Sequence, residues 1–262
     1  MKTIQINPQY AQDNMLNFFI NNLPDSFVDG GDILWNGRNA IKAFDIGNTD
    51  SLKRIVVKRF KHPNFIQQIG YTVRKHKARK AFENGMELIS RGIDTPTPIA
   101  FAEYRNNGFI KDAFYICDEL VGFTEIRQDI ERSDWNRDVI KALAVFFAQL
   151  HKAGILHHDL NNTNILYSLK DGEYHFIVID INRVTFYDSI QSIPMRERIE
   201  NMTRFTSNYD LFLLFAQEYA KACQIPDSEE WVRSALKQKK RHDRNWDRKK
   251  FLLHPNRWFK KR

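Results

Sequence analysis

The feature that most constrains this chain of 262 residues is a short polar loop followed by a single aspartate. The loop, at 157–164, has the sequence His-His-Asp-Leu-Asn-Asn-Thr-Asn, and Asp180 lies sixteen positions beyond its last residue. Asp159 is suited to accept or orient the proton of an acceptor hydroxyl. Asn164 and Asp180 supply the oxygen ligands that Mg²⁺ prefers. The spacing therefore predicts phosphoryl transfer, with Asp159 as base or orienting group and the other two as metal ligands.

Two apolar segments follow the loop and predict a β-hairpin that ends at the second metal ligand. Residues 165–168 and 175–179 flank the turn signal Lys-Asp-Gly-Glu. Such a hairpin brings Asn164 and Asp180 close together. The structural alternative is a polar loop in which Asp159 caps a turn and Asn164 satisfies backbone groups. The apolar helical stripe before the loop and the apolar strand that leads to Asp180 favour the catalytic interpretation.

The N-terminal half predicts an antiparallel sheet of five strands with one long helix. Asn-Gly turn signals at 36–39 and 105–108 each join two apolar segments of strand length. A further segment at 54–60 carries Lys58 near its end, and residues 64–91 form one helical region that stops before a glycine. The sheet thus places one lysine near the end of a strand of β-branched residues.

The composition is that of a globular protein, and 262 residues are enough for one two-lobed domain or two small ones. A hydrophobic content of 42% is sufficient for a packed core. We expect a single α+β domain with an N-lobe over about residues 25–120, a mainly helical C-lobe over about 121–236, and a tail over 237–262. No run of about 18 uncharged apolar residues occurs, and the first residues lack the apolar core of a signal peptide, which predicts a cytoplasmic protein.

The excess positive charge is confined to the C-terminal tail. Residues 237–262 contain twelve Lys or Arg and two Asp, whereas the net charge of the whole chain is +8. Large apolar side chains are interleaved with these cations, namely Trp246, Phe251, Leu252, Leu253, Trp258 and Phe259. The mixture predicts peripheral contact with an anionic membrane surface; the alternative is a solvated helix with a few docked aromatics. No recognition motif accompanies the charge, so no nucleic-acid partner is expected.

In their order along the chain, these motifs resemble those of the lipopolysaccharide core kinases of the Kdo/WaaP type, in the protein-kinase-like superfamily. The loop carries the resemblance together with Trp-Asn-Gly-Arg-Asn at 35–39, Gly-Ile-Asp-Thr-Pro-Thr-Pro at 92–98 and Asp-Ile-Asn-Arg at 180–183. The resemblance implies a two-lobed, protein-kinase-like α+β fold. It also implies ATP and Mg²⁺ as cofactors, and a Kdo or heptose sugar of the lipopolysaccharide inner core as acceptor.

The same resemblance assigns roles to further residues. Lys58 is expected to contact the α- and β-phosphates of ATP, with Glu83 on the long helix holding it in place. Glu87 lies one turn further along the same helix face and remains the alternative partner. Asn161 is expected either to orient the transferred phosphate or the acceptor, or to shape the loop.

The glycine-rich loop of protein kinases is reduced here to Gly37. Fewer backbone groups are then able to approach the phosphates of ATP. We therefore expect a neighbouring side chain, from Arg38, Asn39 or Lys42, to take over part of the contact.

Two other departures define the expected regulation and substrate. His158 stands where regulated kinases carry an arginine that binds a phosphorylated loop, and Asn182 replaces the glycine of Asp-Phe-Gly, so we expect a constitutively assembled site. Only about a dozen residues separate Asn182 from the helix near Pro194, which favours a small or lipid-linked hydroxyl over a peptide. Two alternatives remain: another small-molecule or RIO-like protein kinase, and a pseudokinase that acts as a binding module.

Overall fold

The computed structural model describes residues 1–47 and 54–253, with side chains as far as Arg248. The chain divides into two compact units. The first unit comprises Met1–Gly122 and Ile177–Arg183, and the second comprises Phe123–Phe176 and Val184–Arg262.

The first unit is built on a six-stranded antiparallel sheet. Its strands are β1 (Lys2–Ile6), β2 (Asp32–Asn36), β3 (Ala40–Asp45), β4 (Arg54–Arg59), β5 (Pro98–Asn106) and β6 (Phe109–Asp118). Their spatial order is β1-β5-β6-β4-β3-β2. In the β5–β6 turn, Asn107 and Gly108 have φ values of +49° and +83°, the left-handed conformation that a tight hairpin turn needs and that Asn-Gly tolerates.

The described part of the first unit contains four α-helices. They are α1 (Asn14–Asn21), α2 (Asp25–Asp29), α3 (Phe65–Val73) and α4 (Lys77–Ser90). Leu16 and Ile20 of α1 are fully buried in the same apolar cluster as Ile55 and Val57 of β4. The helix at the N-terminus thus covers one face of the sheet and completes its core.

The first unit differs from the sequence prediction in two respects. The sheet has six strands rather than five, because β1 pairs with β5 from Lys2↔Tyr104 onwards, a contact over about a hundred residues that no local pattern indicates. The long helix predicted at 64–91 is two helices. His76 interrupts it as the N-cap of α4, since its backbone is extended and its side chain accepts a hydrogen bond from the N–H of Ala78.

The second unit is mainly helical, with short strands around the polar loop. Its elements are β7 (Thr124–Glu125), α5 (Arg127–Ile130), α6 (Arg137–Lys152), β8 (Ile155–His157), β9 (Ile165–Lys170), β10 (Glu173–Val178), β11 (Val184–Phe186), α7 (Met195–Met202), α8 (Tyr209–Ala222) and α9 (Ser228–Leu253). Strands β10, β9 and β7 form one sheet, and β11 pairs with β8. The predicted hairpin is present as β9–β10, with Asp171 and Gly172 at positive φ in its turn.

Aromatic packing between α6 and α8 forms the core of the second unit. Phe147 of α6 lies 5.0 Å, between ring centroids, from Phe215 of α8, and both rings are fully buried. The apolar residues of α6 recur at helical spacing, which explains why this helix was predictable from its sequence. The segment from Pro194 to Cys223 contains two helices, α7 and α8.

The predicted tail, residues 237–262, begins within α9, so its first residues belong to that helix. Lys239 is 1% exposed, its Nζ binds both carboxylate oxygens of Asp243 at 2.7 Å, and it lies over the rings of Tyr209 and Phe212. One of the twelve tail cations is therefore part of the packed unit. Residues 254–262, with Trp258 and Phe259, lie outside the described residues. No helix in the described ranges is long and apolar enough to cross a membrane.

Candidate active site

The predicted site residues are divided between the two units. The first unit carries Gly37, Arg38, Lys58, Glu83 and Asp180, and the second carries Asp159, Asn161 and Asn164. Within each unit, the local contacts show how these side chains are held.

Lys58 and Asp180 form an ion pair in the first unit. Lys58 lies on β4, where Ile55 and Val57 are buried and Lys58 points to the opposite face of the strand from Val57. Its Nζ donates to Oδ1 of Asp180 at 2.5 Å and lies 5.3 Å from the ring centroid of Phe60. The side chains of Lys58 and Asp180 are only 17% and 36% exposed, so the pair is screened less by water than a surface ion pair.

The segment that contains Asp180 is fixed by its backbone and by α4. Asp180 has a φ of +56°, in the left-handed region that Asn and Asp adopt more readily than other non-glycine residues. Nδ2 of Asn182 donates to Oδ1 of Asp180 at 2.8 Å, and Nδ2 of Asn84 donates to the carbonyl oxygen of Ile181 at 2.7 Å. These contacts orient the carboxylate that Lys58 binds.

A glycine permits the close approach of α4 to this segment. A Cβ on Gly85 would lie 2.5 Å from Cγ of Pro98 and 2.9 Å from Cδ1 of Ile181, so any larger residue would push the helix away. Neither Gly85 nor Asn84 is among the residues predicted from the sequence. A glycine in the interior of a helix is the signal that indicates such a contact.

Glu83 lies on α4 but binds two cations other than Lys58. Its carboxylate accepts hydrogen bonds from Nζ of Lys75 and Nε of Arg79, both at 2.8 Å. Burial raises the pKa of Glu83, but the hydrogen bonds from Lys75 and Arg79 outweigh it and leave that pKa below its ordinary value. Glu87 is likewise bound by a cation on its own helix, at 2.8 Å. Among the described residues, the carboxylate that binds Lys58 is that of Asp180. The carboxylates of Glu83 and Glu87 bind other cations instead.

Positive charge accumulates beside Arg38. Arg38 and Lys77 line a groove of about 300 Å³ whose walls also include Lys61 and His62. Burial lowers the pKa of Lys77, and the positive charges of Arg38 and Arg183 lower it further, against the opposing effect of Asp180. Such a concentration of cations is suited to a polyphosphate. Like Asn84 and Gly85, Lys77 is absent from the site residues predicted from the sequence.

The turn at Gly37 is closely packed. A Cβ at Gly37 would lie 2.6 Å from Nε1 of Trp35, so the glycine leaves room for the indole. Of the side chains expected to supplement this turn, Arg38 and Asn39 line the groove. Lys42 does not line it, because its Nζ donates instead to the carbonyl oxygens of Phe27 and Gly30 at 2.7 and 2.8 Å.

In the second unit, hydrogen bonds within the loop orient the predicted base. Nδ2 of Asn164 donates to the carbonyl oxygen of Asp159 at 2.8 Å, and Oδ1 of Asn161 accepts from the N–H and the hydroxyl of Thr163 at 2.9 and 2.7 Å. Nδ2 of Asn161 lies 3.5 Å from Oδ1 of Asp159, a weak contact. Within the described residues the Asp159 carboxylate forms no ion pair, so no cation competes with an acceptor hydroxyl for its oxygens.

A buried polar network supports the loop from below. His157 is 1% exposed, and its Nδ1 accepts from the N–H of Asp159 at 3.1 Å. Nδ2 of Asn201 donates to the carbonyl oxygen of His157 at 2.6 Å, while Oδ1 of Asn201 lies 3.1 Å from Nε2 of His151. Burial lowers the pKa of His151 to about 4, so its ring is neutral and accepts from the hydroxyl of Tyr219 at 2.7 Å. The network links α6, α7 and α8 to the loop.

Comparisons with known proteins identify the family and the fold of this chain. The model of the lipopolysaccharide kinase (Kdo/WaaP) family matches residues 37–211, a range that contains all the predicted site residues. Among solved structures, the chain is similar to one described as WaaP in complex with acyl carrier protein, with a TM-score of 0.57 and 16% sequence identity. The similarity covers 90% of this chain and 99% of that chain. No curated protein matches in the sequence comparison. At this identity the structural likeness shows the fold alone, and the predicted protein-kinase-like α+β fold is confirmed.

Proposed function

This chain belongs to the lipopolysaccharide kinase (Kdo/WaaP) family and is an ATP-dependent kinase, and we propose that it phosphorylates a sugar hydroxyl of the lipopolysaccharide inner core, on a Kdo or a heptose. The match to the family model supports the acceptor class, and the Lys58–Asp180 ion pair supports phosphoryl transfer, because a kinase site needs a strand lysine for the phosphates and an aspartate for the metal. The two side chains already lie together within one compact unit.

The oxygen atoms of the site suit Mg²⁺. Asp180 offers a carboxylate that is already bound by a cation, the ammonium group of Lys58. Asn164 uses its Nδ2 for the carbonyl oxygen of Asp159, so its amide oxygen is the atom that it presents to a ligand. We assign Mg²⁺ binding to Asp180 and Asn164 on this basis. When bound, the ion neutralises negative charge on the phosphates of ATP.

Lys58 and the cationic groove hold the nucleotide in this proposal. With Asp180 as a ligand of the metal, the ammonium of Lys58 would contact the α- and β-phosphates. Arg38 and Lys77 add positive charge from the walls of the groove, and Gly37 lets the turn pack closely. In this proposal Glu83 is the second partner of Lys58. To take that role, its carboxylate must give up its hydrogen bond from Lys75 or Arg79.

Asp159 acts on the acceptor hydroxyl. Its carboxylate accepts the proton, or orients it, as the hydroxyl oxygen attacks the γ-phosphorus in line with the departing ADP oxygen. Asn161 holds the loop in shape through Thr163 and lies close enough to Asp159 to orient its carboxylate. The support for this role is the absence of a neutralising cation at Asp159 among the described residues.

The tail supplies a reason for the enzyme to work at a membrane. Arg244 and Arg248 are exposed on α9, the helix that also carries the half-exposed Trp246. Cations and an interfacial aromatic on one helix favour contact with anionic lipid headgroups. We propose peripheral attachment to the cytoplasmic face of the inner membrane, where a lipid-linked sugar is accessible.

Incubation with ATP, Mg²⁺ and Kdo-lipid A tests the proposed acceptor. We expect transfer of phosphate to the sugar, detected by mass spectrometry of the lipid product, or transfer to heptosylated core when Kdo-lipid A is not the acceptor. Lipopolysaccharide from cells that lack the protein should also lack one phosphate. Transfer to neither acceptor, with wild-type lipopolysaccharide in such cells, would remove the assignment.

A further inference from the structure

Two adjoining cavities of the second unit form one groove beside α7. Their volumes are about 520 and 370 Å³, and both are lined by Arg196 and Glu200 of α7. We call them together the α7 groove. It extends from His158, the residue before Asp159, to Trp246 on α9.

The charges that line the α7 groove are mostly positive. Its cations are Arg196, Arg204, Lys237 and Arg241, and its carboxylates are Glu197 and Glu200. All four cations are exposed, and no ion pair binds any of them among the described residues. Arg196 and Glu200 do not pair even though they lie four residues apart on one helix. The groove therefore offers unneutralised guanidinium groups to a ligand.

α7 is fixed at both ends of the groove. At one end, Asn201 donates to the carbonyl oxygen of His157 directly below the loop. At the other end, Nε2 of Gln238 on α9 donates to the carbonyl oxygen of Arg196 at 2.9 Å. A surface held in this way binds a ligand with little loss of conformational entropy.

The composition of the α7 groove is that of a site for an acidic sugar. Arginine forks bind carboxylate or phosphate groups with two parallel hydrogen bonds. The carboxylates of Glu197 and Glu200 are acceptors for sugar hydroxyls. A neutral sugar leaves the cations unpaired and has no equivalent anchor.

We propose that the α7 groove binds the acceptor and that Arg196 and Arg241 hold an anionic group of it. The proposal rests on the function proposed above and adds the residues that position the acceptor. The anionic group is either the carboxylate of the sugar itself or a phosphate on a neighbouring sugar. Because His158 lines the groove, a ligand there lies beside the loop that carries Asp159.

Steady-state kinetics with Kdo-lipid A in detergent micelles test the groove. The double variant Arg196→Ala/Arg241→Ala should raise the KM for this acceptor by at least about 10-fold, as expected for the loss of charge-assisted hydrogen bonds. The kcat, the KM for ATP and the melting temperature should stay unchanged. Arg233→Ala is the matched control, because Arg233 is an exposed arginine of α9 that lines neither cavity.

Calorimetric titration of the ATP-free protein separates the two sources of negative charge. Free Kdo carries a carboxylate without phosphate, inorganic phosphate carries the other group, and galactose serves as the neutral control. We expect one of the two anions to bind to the wild type and to Arg233→Ala, and to bind at least about 10-fold more weakly to the double variant. Galactose should bind to none of them.

The outcomes distinguish this inference from the proposed function. If the wild type and the double variant phosphorylate Kdo-lipid A with the same KM, the proposed function stands. The proposed role of the α7 groove in binding the acceptor is then wrong. Equal losses in Arg233→Ala would overturn it as well. If no lipopolysaccharide acceptor is phosphorylated but one anion binds through Arg196 and Arg241, the proposed function fails and the anion-selective groove stands. If no acceptor is phosphorylated and neither anion binds, both fail.

Discussion

The ammonium group of Lys58 donates to Oδ1 of Asp180 at 2.5 Å, so the lysine of β4 and the aspartate that follows β10 hold each other in one compact unit. In the proposed mechanism Asp180 would be a ligand of the metal and Lys58 would contact the phosphates of ATP. The ion pair therefore holds both side chains in position in the absence of nucleotide.

Replacement of Lys58 by methionine should lower kcat/KM for ATP by about 10²–10³-fold, the effect of removing one preorganised electrostatic contact to the reacting phosphates. Methionine keeps the length of the side chain and removes the charge. Lys111→Met is the matched control, because Lys111 is an exposed lysine of β6. Phosphoryl transfer measured with labelled ATP checks the prediction. An unchanged rate in Lys58→Met would contradict the assigned role.

The isosteric change Asp159→Asn tests the proposed base. It should lower kcat by about 10²–10⁴-fold and leave the KM for ATP unchanged, because it removes the proton acceptor and keeps the loop geometry. Asp171→Asn in the β9–β10 turn is the control, since asparagine tolerates the φ of +53° found there. If cells with Asp159→Asn keep normal lipopolysaccharide phosphorylation while cells without the protein do not, the protein is a scaffold and not the kinase.

Substitution of the two candidate glutamates identifies the second partner of Lys58. We expect Glu83→Gln to lower kcat/KM for ATP by about 10-fold, because the amide pairs only weakly with the ammonium once Asp180 binds metal. Glu87→Gln should change the same quantity less than about 2-fold, since Glu87 then only loses its exposed pair with Arg91. The reverse ranking of the two variants would assign the role to Glu87.

The spacing of Asp159, Asn164 and Asp180 was sufficient to predict the kinase-like loop and hairpin, because the turn chemistry of Asp171 and Gly172 is local. The partners of charged side chains were not predictable in the same way. Lys58 pairs with Asp180 across 122 positions, while Glu83 pairs with Arg79 four residues away, and the sequence offers cations to each carboxylate at several distances. Those choices depend on tertiary distances that no periodicity encodes.

The pH dependence of stability should report on the network beneath the loop. Burial lowers the pKa of His151 from 6.5 to about 4, whereas the unfolded chain takes up the proton at its ordinary pKa. The stability contributed by neutral His151 is therefore complete above that ordinary pKa and is lost as the pH falls towards the folded value. Between about pH 7 and about pH 5 the loss should be about 2 kcal/mol.

Urea unfolding of His151→Gln at these two pH values measures that contribution. The wild type should lose about 2 kcal/mol more than the variant on acidification, because glutamine does not titrate. The control His175→Gln, at an exposed position of β10, should lose as much as the wild type. Equal losses in the wild type and His151→Gln would mean that His151 is not held neutral in the folded state. His76, whose pKa burial also lowers to about 4, is present in all three proteins.

The contribution of the tail to membrane binding is best tested by removing residues 254–262. A deletion from Lys237 would also remove Lys239, which is buried and paired with Asp243, so a loss of vesicle binding after that change could reflect unfolding. The shorter deletion removes Arg257, Lys260, Lys261 and Arg262 and keeps α9. Each basic residue near an anionic surface contributes about 1 kcal/mol. Sedimentation with phosphatidylglycerol vesicles should therefore show at least about 10-fold weaker binding at an unchanged melting temperature. Neutral phosphatidylcholine vesicles should bind neither protein. If the truncated protein still binds the anionic vesicles as strongly and in a salt-sensitive way, the membrane contact lies elsewhere on the molecule.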